Sequence, residues 1–479
     1  MADELLAVRR AKLDRLRADG IDPFPHEFPG VEPVAGVLAA HEALQDGEET
    51  DARHRVAGRL AARRGQGKMA FLDLVDRSGR LQLQARQDVL GDELHERLLT
   101  QVDLGDIIGV DGSALRTRRG EISLRIERFT VLAKSLRPPP EKHHGLQDVE
   151  TRYRRRELDL MANEEARELF IARARVITAV RRALDDDGFI EVETPVLQPL
   201  YGGALARPFT TYHNALDRTL YLRIATELYL KRCIVGGLER VYELGKDFRN
   251  EGLSAKHNPE FTMVEFYEAY ADYNDVADRL ESLVRSVAAQ VGSGAEIDFE
   301  QPWRRVTLRD AIRDATGVDF VEHADHASLA AAIGDRLPTD DRSWPQLVDD
   351  LLSRYVEPDL QQPTFLMDYP VELSPFAKAH RSEAGLVERW EAFCGGIEIA
   401  NAFTELNDPD EQRARFESQA RLAAGGDEEA APYDEVFVQA LEQGMPPTGG
   451  VGLGIDRLVM TLRDRASIRE VVLFPAMRD

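Results

Sequence analysis

The strongest chemical pattern in this chain is segment 260–267, in which large apolar residues surround an acid. Its residues have high strand propensity, and the side chains of a strand alternate between two faces. Phe261, Met263, Glu265 and Tyr267 would then share one face. A carboxylate among large apolar side chains is costly unless it is paired, so the pattern indicates a cation-binding pocket. An exposed sheet face or a structural salt bridge would give the same pattern and stays open at this point.

Groups that bind phosphate and carboxylate come just before this strand. Arginine holds such anions through a planar fork of N–H groups, and Arg249 lies near the end of a strand predicted over 242–251. Asp247 and Glu251 would share its face. The loop that follows adds three polar side chains: Lys256, His257 and Asn258. One hairpin therefore offers an arginine, a histidine, an amide and several acids.

A third group of polar residues lies in segment 391–405. Glu391 and Glu398 could hold Mg²⁺, which prefers carboxylates together with substrate phosphates. On the predicted strand, three further side chains share one face: Asn401, Phe403 and Glu405. Glu398 has the opposite parity, so a bulge or twist near Ala400 is required if all of them line one site.

The last pattern is the glycine-rich run 449–454, followed by Ile455, Asp456 and Arg457. Such a run could cradle a nucleotide or simply form a tight turn between a strand and a helix. Its spacing matches neither the dinucleotide fingerprint nor the P-loop. At the start of a helix, Arg457 could stack on a base and contact a phosphate.

The elements of the N-terminal part are predicted to form a small barrel. Residues 4–19 read as a helix that ends at Gly20 and is followed by turns to about residue 52. Five short strands between 55 and 132 suggest a closed barrel, of which the OB-fold is the commonest nucleic-acid-binding example. Their predicted bounds are 56–60, 69–75, 80–85, 107–113 and 122–131. The prolines at 138–140 mark a linker.

The long C-terminal part mixes helices and strands. A helix is predicted over 164–187, with Gly188 after its end, and a strand stopped by proline follows over 189–195. Strands dominate 240–270 and 395–406, whereas 275–355 is mostly helical. The apolar side of the helix would consist of Phe170, Ile171, Ala174, Ile177, Val180 and Leu184.

Composition restricts the class of protein. The chain has 479 residues and a formal net charge of -24, so on charge alone RNA binding is not favoured. Basic clusters at 53–68, 116–119 and 152–156 nevertheless lie in its N-terminal third. Cys233 and Cys394 lack metal-ligand spacing, which argues against a disulfide framework or a zinc site. No apolar run could cross a bilayer and no signal core is present, so we expect a soluble, cytoplasmic protein.

At three places the chain resembles the class II aminoacyl-tRNA synthetases. Segment 189–195 resembles the first motif of that family, 248–267 the second and 452–457 the third. Longer strings look specifically lysyl, namely 202–204, 207–209, 227–232, 248–270, 398–408 and 473–478. The resemblance covers nearly the whole chain. It implies an α+β fold, with an OB-fold anticodon-binding barrel before a catalytic domain whose antiparallel sheet is flanked by helices.

The resemblance also implies an organisation into domains. We expect an N-terminal helix and extension at 1–52, the barrel at 53–140, a linker at 141–160 and the catalytic domain at 161–479. The mostly helical segment near 275–355 would lie inside the last of these. A homodimer formed through the 189–195 region is a further implication.

Each of the residues singled out above receives a role from the resemblance. Arg249 and Arg457 would be catalytic, with Arg249 bridging the amino-acid carboxylate and the α-phosphate of ATP. Contacts to ATP would come from Arg249, Glu251, His257, Asn258, Phe261, Glu391, Glu398 and Arg457. Contacts to lysine would come from Gly203, Glu227, Arg249, Glu265, Tyr267, Asn401, Phe403 and Glu405. Glu391 and Glu398 would hold Mg²⁺. In the barrel, Phe71, Gln82 and Glu121 would read the central anticodon uridine.

The chemistry of the residues agrees with a lysine substrate. A cation on an apolar stem needs a carboxylate at its end, Glu405, and an aromatic wall, Phe403 and Tyr267. The implied reaction is ATP-dependent formation of lysyl-adenylate, followed by transfer of lysine to the 3′ end of lysine tRNA. One residue departs from the family pattern, because Glu157 stands where an aromatic is more familiar. We expect this change to alter a local linker contact only.

Three alternatives are weighed against this reading. A relative that lysylates a protein or lipid would lack the barrel or add membrane spans. A non-catalytic RNA-binding paralogue would have lost Arg249, Arg457 or the acidic pair, and the chain has all of them. An aspartyl or asparaginyl enzyme is disfavoured by Glu405, since an aspartate pocket needs a cation there.

Overall fold

The structure is a computed structural model that describes residues 2–65, 67–140, 146–294, 296–340, 342–374, 376–424 and 432–478. The chain divides into two compact units, Met1–Gln147 and Asp148–Asp479. None of the helices in the described ranges combines the length and the apolar character that crossing a bilayer requires.

The first unit contains a closed five-stranded barrel. Its strands are β1 (Glu49–Arg64), β2 (Met69–Val75), β3 (Arg80–Arg86), β4 (Ile107–Arg116) and β5 (Ile122–Ala133), in the order β1-β2-β3-β5-β4. Only β3 and β5 pair in parallel. Alternate residues, such as Leu72, Leu74, Leu81 and Leu83, point into the core. The predicted barrel is confirmed, although β1 begins before the predicted strand and runs beyond it.

Four helices accompany the barrel: α1 (Ala2–Ala18), α2 (Val34–Ala40), α3 (Gln87–Leu90) and α4 (Asp92–Thr100). The predicted N-terminal helix is confirmed, and Gly20 after it has a φ of 72°, which glycine adopts without strain. The stretch expected to consist of turns contains α2. Pro33 precedes this helix, and Val34 and Val37 on it are buried in the barrel core.

The second unit is built on two sheets. The large sheet contains β6 (Ile190–Glu191), β10 (Arg240–Phe248), β11 (Glu260–Ala269), β12 (Arg304–Thr307), β13 (Thr364–Pro370), β14 (Leu386–Cys394), β15 (Ile397–Thr404) and β16 (Thr448–Gly454). Their order is β12-β13-β14-β15-β16-β11-β10-β6, antiparallel except at the two outer pairs. The small sheet contains β7 (Leu197–Gln198), β8 (Thr210–His213) and β9 (Arg218–Leu222). The predicted α+β fold is confirmed.

Helices surround these sheets. They are α5 (Val149–Arg154), α6 (Arg156–Ala162), α7 (Glu164–Asp186), α8 (Glu227–Val235), α9 (Tyr273–Val291), α10 (Leu308–Thr316), α11 (His326–Ile333), α12 (Trp344–Tyr355), α13 (Pro409–Ala424), α14 (Glu435–Leu441), α15 (Ile455–Leu462) and α16 (Ile468–Val471). Short 3-10 helices lie at Asn214–Leu216, Gly334–Arg336, Glu357–Asp359 and Val371–Leu373. The segment 275–355 is mostly helical, as predicted, and also contains β12.

Two local expectations were wrong. Of the strand predicted over 189–195, only Ile190–Glu191 forms a strand, and Val192 adds one backbone hydrogen bond to the carbonyl of Tyr242 at 2.9 Å. On α7, Ile171 and Ala174 are exposed, although both were placed on its apolar side. The buried stripe consists instead of Ala166, Leu169, Ala172, Val176, Ala179, Val180 and Leu184. Arg173, at the edge of this stripe, pairs with Asp456 at 2.5 Å.

The predicted linker is helical where it is described. Residues 141–145 lie outside the described residues, and α5 and α6 occupy most of the remainder of 141–160. The unusual Glu157 lies in the first turn of α6, where it is exposed and pairs with Arg155 at 2.6 Å.

The two faces of the large sheet differ, because one packs against helices and the other faces a cavity. Val264, Phe266, Val451 and Leu453 point to a core shared with α7, α9 and α15. Their neighbours in β11 and β16 have the opposite parity and face a cavity on the other side. One face therefore supplies the hydrophobic free energy and leaves the other face available for polar side chains.

Candidate active site

The cavity on the open face of the large sheet has a volume of about 390 Å³. Every residue predicted to contact ATP or lysine lines it: Gly203, Glu227, Arg249, Glu251, His257, Asn258, Phe261, Glu265, Tyr267, Glu391, Glu398, Asn401, Phe403, Glu405 and Arg457. The structure thus brings these side chains together, while their individual contacts with substrates stay predictions.

A bulge in β15 makes this convergence possible. Ala400 pairs with Ala392, but the next pair along is Phe393 with Glu398, so Ile399 has no partner in the ladder. This extra residue reverses the parity, and Glu398 therefore faces the same cavity as Asn401. The bulge expected near Ala400 is confirmed.

The glycine-rich run is strand β16, and α15 begins directly after it at Ile455. The register places Gly450 between Tyr267 on β11 and Phe403 on β15. A Cβ atom at Gly450 would overlap both the Tyr267 ring and Oε1 of Glu405. The missing side chain lets the Tyr267 ring and the Glu405 carboxylate lie directly over Gly450. Together with Phe403 on the neighbouring strand, they bound the part of the cavity called the slot below.

Three buried carboxylates close the inner end of the cavity: Glu227, Glu265 and Glu405. Glu265 accepts hydrogen bonds from the backbone N–H of Thr226 at 3.1 Å and from the Tyr267 hydroxyl at 3.2 Å. Glu227 and Glu405 share a single cation, Lys231, whose Nζ lies 2.6 Å from Glu227 and is also ion-paired with Oε2 of Glu405. Oε1 of Glu405 has no hydrogen-bond partner among the described residues.

This acidic group lacks positive charge. Burial, together with the charges of Asp247 and Glu227, raises the pKa of Glu265 to about 8. Burial also raises the pKa of Glu405 to about 8, against the opposing effect of Lys231. For Lys231, burial would lower the pKa, but the charges of Glu227 and Glu405 raise it above its usual value. Glu227 and Glu405 thus share one ammonium, Glu265 lies close enough to act on their charges, and full ionisation of the three carboxylates leaves two negative charges uncompensated.

The other end of the cavity carries cations and an aromatic platform. The Arg249 guanidinium lies 5.1 Å from the centre of the Phe261 ring. Among the described residues, no carboxylate lies within ion-pair distance of Arg249. Arg457 pairs with Glu398 at 2.8 Å, and its other nitrogen lies 3.2 Å from Nε2 of His257. Burial and the neighbouring Arg457 lower the pKa of His257, so this imidazole is neutral near pH 7.

Two of the residues predicted to contact ATP have distinct surroundings. The side chain of Asn258 is already engaged, since it donates to the carbonyl of Glu260 at 2.6 Å and accepts from the N–H of Ala476 at 3.2 Å. Glu251 lies in the exposed loop that follows β10. Asn258 therefore holds the C-terminal segment against the cavity wall.

Glu391 and Glu398 are close enough to repel each other. Burial and the charge of Glu398 raise the pKa of Glu391 to about 7, although Arg389 opposes the shift. Glu391 also accepts a hydrogen bond from the Tyr369 hydroxyl at 2.9 Å. Within the described residues, no three His, Cys, Asp or Glu side chains form a metal-binding group. A divalent cation at this pair would need further ligands from substrate phosphates or water.

Two charged residues of this site were missed in the sequence. Arg389 pairs with Glu391 and donates to Oδ1 of Asn401 at 3.0 Å, so it orients both. It lies two residues before Glu391 on the same strand face, a spacing that could have revealed it. Lys231 lies four residues after Glu227 on α8, and helical spacing could have revealed it in the same way.

The barrel carries a second candidate site on its outer face. Phe71 on β2 and Gln82 on β3 have the parity opposite to the buried leucines. The hydroxyl of Ser123 on β5 donates to Oε1 of Gln82 at 3.0 Å. Glu121 is exposed in the turn just before β5. The three residues predicted to read an anticodon thus lie on adjacent strands or at their ends, and their roles stay predictions.

Comparisons with known proteins decide the family. Residues 148–478 match the family described as tRNA synthetases class II (D, K and N), and residues 54–132 match the OB-fold nucleic acid binding domain. A lysine–tRNA ligase of Chloroflexus aurantiacus is 51% identical over 487 residues, which cover 100% of this chain and 99% of the relative. One of Carboxydothermus hydrogenoformans is 49% identical over 485 residues, covering 99% and 98%. The chain belongs to the class II lysyl-tRNA synthetase family. Its barrel and its second unit thus correspond to the OB-fold domain and the class II synthetase domain of that family.

The slot at Gly450 gives a test of where the amino acid binds in this synthetase. We expect Gly450→Ala to raise the KM for lysine about fivefold to a hundredfold, because an added methyl group in a packed site costs about 1–3 kcal/mol. The KM for ATP should change little. Lysine-dependent exchange of pyrophosphate into ATP measures both constants. Gly294→Ala is the matched control, since its new Cβ would find only an ordinary contact at 3.9 Å. An unchanged KM for lysine in Gly450→Ala would contradict this location.

Proposed function

We propose that this protein activates L-lysine with ATP to lysyl-adenylate and transfers the lysyl group to the 3′ end of lysine tRNA. The charge of the inner pocket is the observation that carries the proposal. Lys231 can balance only one of Glu227, Glu265 and Glu405, so the pocket can take two further positive charges when all three carboxylates are ionised. L-lysine brings two ammonium groups, and its carboxylate can turn towards Arg249.

The proposed binding mode follows from this charge pattern. The α-ammonium of lysine lies between Glu227 and Glu265, next to the backbone of Gly203. The side chain lies in the slot over Gly450, between Tyr267 and Phe403. The ε-ammonium reaches Oε1 of Glu405, which lacks a hydrogen-bond partner among the described residues. Rejection of uncharged analogues follows, because they would leave a buried carboxylate unpaired.

The activation step needs positioning more than acid–base chemistry. Adenine stacks on Phe261 with Arg457 on its other face, and Arg249 bridges the α-phosphate and the lysine carboxylate. The carboxylate is already ionised, so no protein base is required. Its oxygen attacks the α-phosphorus, the bond to the β-phosphate breaks, and pyrophosphate leaves. Arg249 lowers the barrier by neutralising charge in the transition state.

The transfer step uses the tRNA as nucleophile. A hydroxyl of the terminal adenosine attacks the carbonyl of lysyl-adenylate, AMP leaves, and the hydroxyl proton is lost to solvent. The barrel selects the tRNA, with Phe71 stacking on an anticodon base and Gln82 and Glu121 hydrogen-bonding to it. ATP and tRNA as substrates fit the cytoplasm as the site of action.

Magnesium fits the pair Glu391 and Glu398. Each carboxylate faces the cavity, and their mutual repulsion would be relieved by a divalent cation. When bound, Mg²⁺ would supply charge neutralisation for the phosphates of ATP. Arg389 and Tyr369 hold Glu391 in place for this task.

A homodimer through the 189–195 region and the residues next to it is part of the proposal. Ile190 on β6 and Leu197 on β7 are 51% and 48% exposed, which is unusual for large aliphatic side chains. Strand β6 also lies at the edge of the large sheet, where its outer backbone groups can pair with another chain. A second copy would bury both features.

A survey of amino acids tests the proposed reaction directly. Pyrophosphate exchange is measured with each of the twenty amino acids, and lysine should give the highest kcat/KM by at least about a hundredfold. Charging of lysine tRNA should follow, and replacement of the central anticodon uridine should reduce it. Exchange with aspartate or asparagine instead of lysine, or with none of the twenty, would sink the proposal.

Arg249→Ala separates catalysis from folding. The variant should lose about a hundredfold to a thousandfold in exchange activity, because a transition-state contact is removed. Its melting temperature should stay close to that of the unaltered protein. Arg354→Ala is a matched control, since this exposed arginine also lies near an aromatic ring, Tyr355, at 6.0 Å. Near-normal exchange by Arg249→Ala would show that the proposed bridging role is wrong.

Lysine binding should depend on pH in a defined direction. Glu265 and Glu405 have pKa values of about 8 in the free protein, so near pH 7 they are mostly protonated. A bound ammonium favours the ionised form, and lysine binding must therefore release protons, with affinity rising as the pH approaches 8. Calorimetry at pH 7 in two buffers of different ionisation enthalpy should detect roughly one to two protons. Glu405→Gln should release about one proton fewer. Identical heats in both buffers would refute this linkage.

A further inference from the structure

Lys231 is the only cation within ion-pair distance of Glu227 and Glu405 among the residues that the structure describes. Its side chain is fully buried, with 0% exposure. Nζ lies 2.6 Å from Oε1 of Glu227, one helical turn away on α8, and is also ion-paired with Oε2 of Glu405. The ring of Phe376 lies 5.6 Å from the same nitrogen. Lys231 does not line the cavity, so it contacts the two carboxylates from behind.

Within the described part of the chain, Lys231 forms no ion pair other than those with Glu227 and Glu405. Glu265 and Tyr267 on β11 add a carboxylate and a phenol to the cluster formed by Glu227 and Glu405. The neighbouring α13 and α14 contribute apolar rings, Phe416 and Phe437, to the adjoining core. The ammonium is thus held in one place by charge and by packing. Removing it would leave Glu227 and Oε2 of Glu405 buried without a counter-ion.

The two carboxylates that Lys231 joins have different tasks in the proposed function. Glu227 holds the α-ammonium of the substrate, and Glu405 holds the ε-ammonium. A cation that is bound to both carboxylates fixes the distance between them. It also fixes the number of charges that a substrate must bring, because three carboxylates and one ammonium leave room for two cations.

We propose that Lys231 is a positioning residue for amino-acid selection, a permanent internal cation that sets both the charge and the length of the substrate that the pocket accepts. The inference rests on the proposed function, since it assumes that lysine spans Glu227 and Glu405. A shorter diamine such as L-ornithine, with one methylene fewer, would not match the separation of the two carboxylates that Lys231 fixes.

Lys231→Met tests the inference, because methionine has a similar volume and no charge. Loss of the cation raises the proton affinity of Glu227 and Glu405, so protons compete better with the substrate. We expect the KM for lysine to rise about tenfold or more at pH 7 and clearly less at pH 9, since one pKa unit corresponds to a factor of ten. The preference for lysine over ornithine should fall about tenfold, out of the 10–200-fold that one methylene can supply. The KM for ATP should stay within about twofold of that of the unaltered protein, which is far less than the factor of ten that corresponds to one pKa unit.

Lys134→Met is the matched control. Lys134 is also fully buried between two carboxylates, at 2.7 Å from Asp106 and 2.6 Å from Asp103, but it belongs to the barrel. The substitution should destabilise the protein in a similar way without changing the pH profile or the ornithine preference in pyrophosphate exchange. If both variants change lysine kinetics alike, or if Lys231→Met keeps the normal pH profile and ornithine discrimination, the inference is wrong.

Lys231→Arg separates charge from spacing and remains informative if Lys231→Met does not fold. Arginine keeps the positive charge but is longer and planar. The pH profile should then stay normal while discrimination against ornithine changes. A shifted pH profile in Lys231→Arg, or unchanged discrimination, would overturn the inference. The unaltered protein tests the underlying function separately, because absence of any lysine-dependent exchange there would refute the proposed reaction and leave the ion pairs of Lys231 in place.

Discussion

Burial of three carboxylates around one ammonium is the constraint on which the inner pocket depends. A buried carboxylate costs several kcal/mol unless a cation or several donors compensate it. Lys231 satisfies part of this need for Glu227 and Glu405, and the Thr226 N–H and the Tyr267 hydroxyl satisfy part of it for Glu265. In the free protein the remainder is met by protons, because burial raises the pKa values of Glu265 and Glu405 to about 8. A ligand with two positive charges can therefore bind at these buried carboxylates and balance their charge.

The fold tolerates these buried acids because one face of the large sheet forms the hydrophobic core and the other face carries the polar side chains. The face with Val264, Phe266 and Val451 packs on helices, so the hydrophobic core stabilises the strands without help from the polar face. The opposite face can then carry acids and a row of glycines. At the slot over Gly450, two aromatic rings replace the packing that a side chain would have given. The candidate active site thus lies on the face of the sheet that does not contribute to the hydrophobic core.

Local periodicity explains which parts of the structure could be predicted. The alternation around Glu265, the apolar strands of the barrel and the helix over 164–187 follow from spacing alone, and the parity conflict at Glu398 even required the bulge that is found. The buried face of α7 could not be predicted in detail, because burial there depends on residues far away in the chain, such as Asp456, which pairs with Arg173. Lys231 and Arg389 have detectable spacings from Glu227 and Glu391. Their importance comes from burial, which a single sequence does not reveal.

The charge of the barrel shows the same limit from the other side. A cluster of arginines in β1 suggests a surface for phosphates, yet Arg55 pairs with Asp111, Arg63 donates to backbone carbonyls, and Arg64 pairs with Asp73. Most of this basic cluster is therefore paired with other groups of the barrel. An acidic chain can therefore bind RNA only if recognition depends on shape, stacking and hydrogen bonds more than on net charge. The exposed Glu121 and the half-buried Phe71 are groups of that kind, since one accepts hydrogen bonds and the other offers a ring face. The net charge of -24 is thus compatible with a tRNA partner, because it describes the whole chain and not the face that would meet the anticodon.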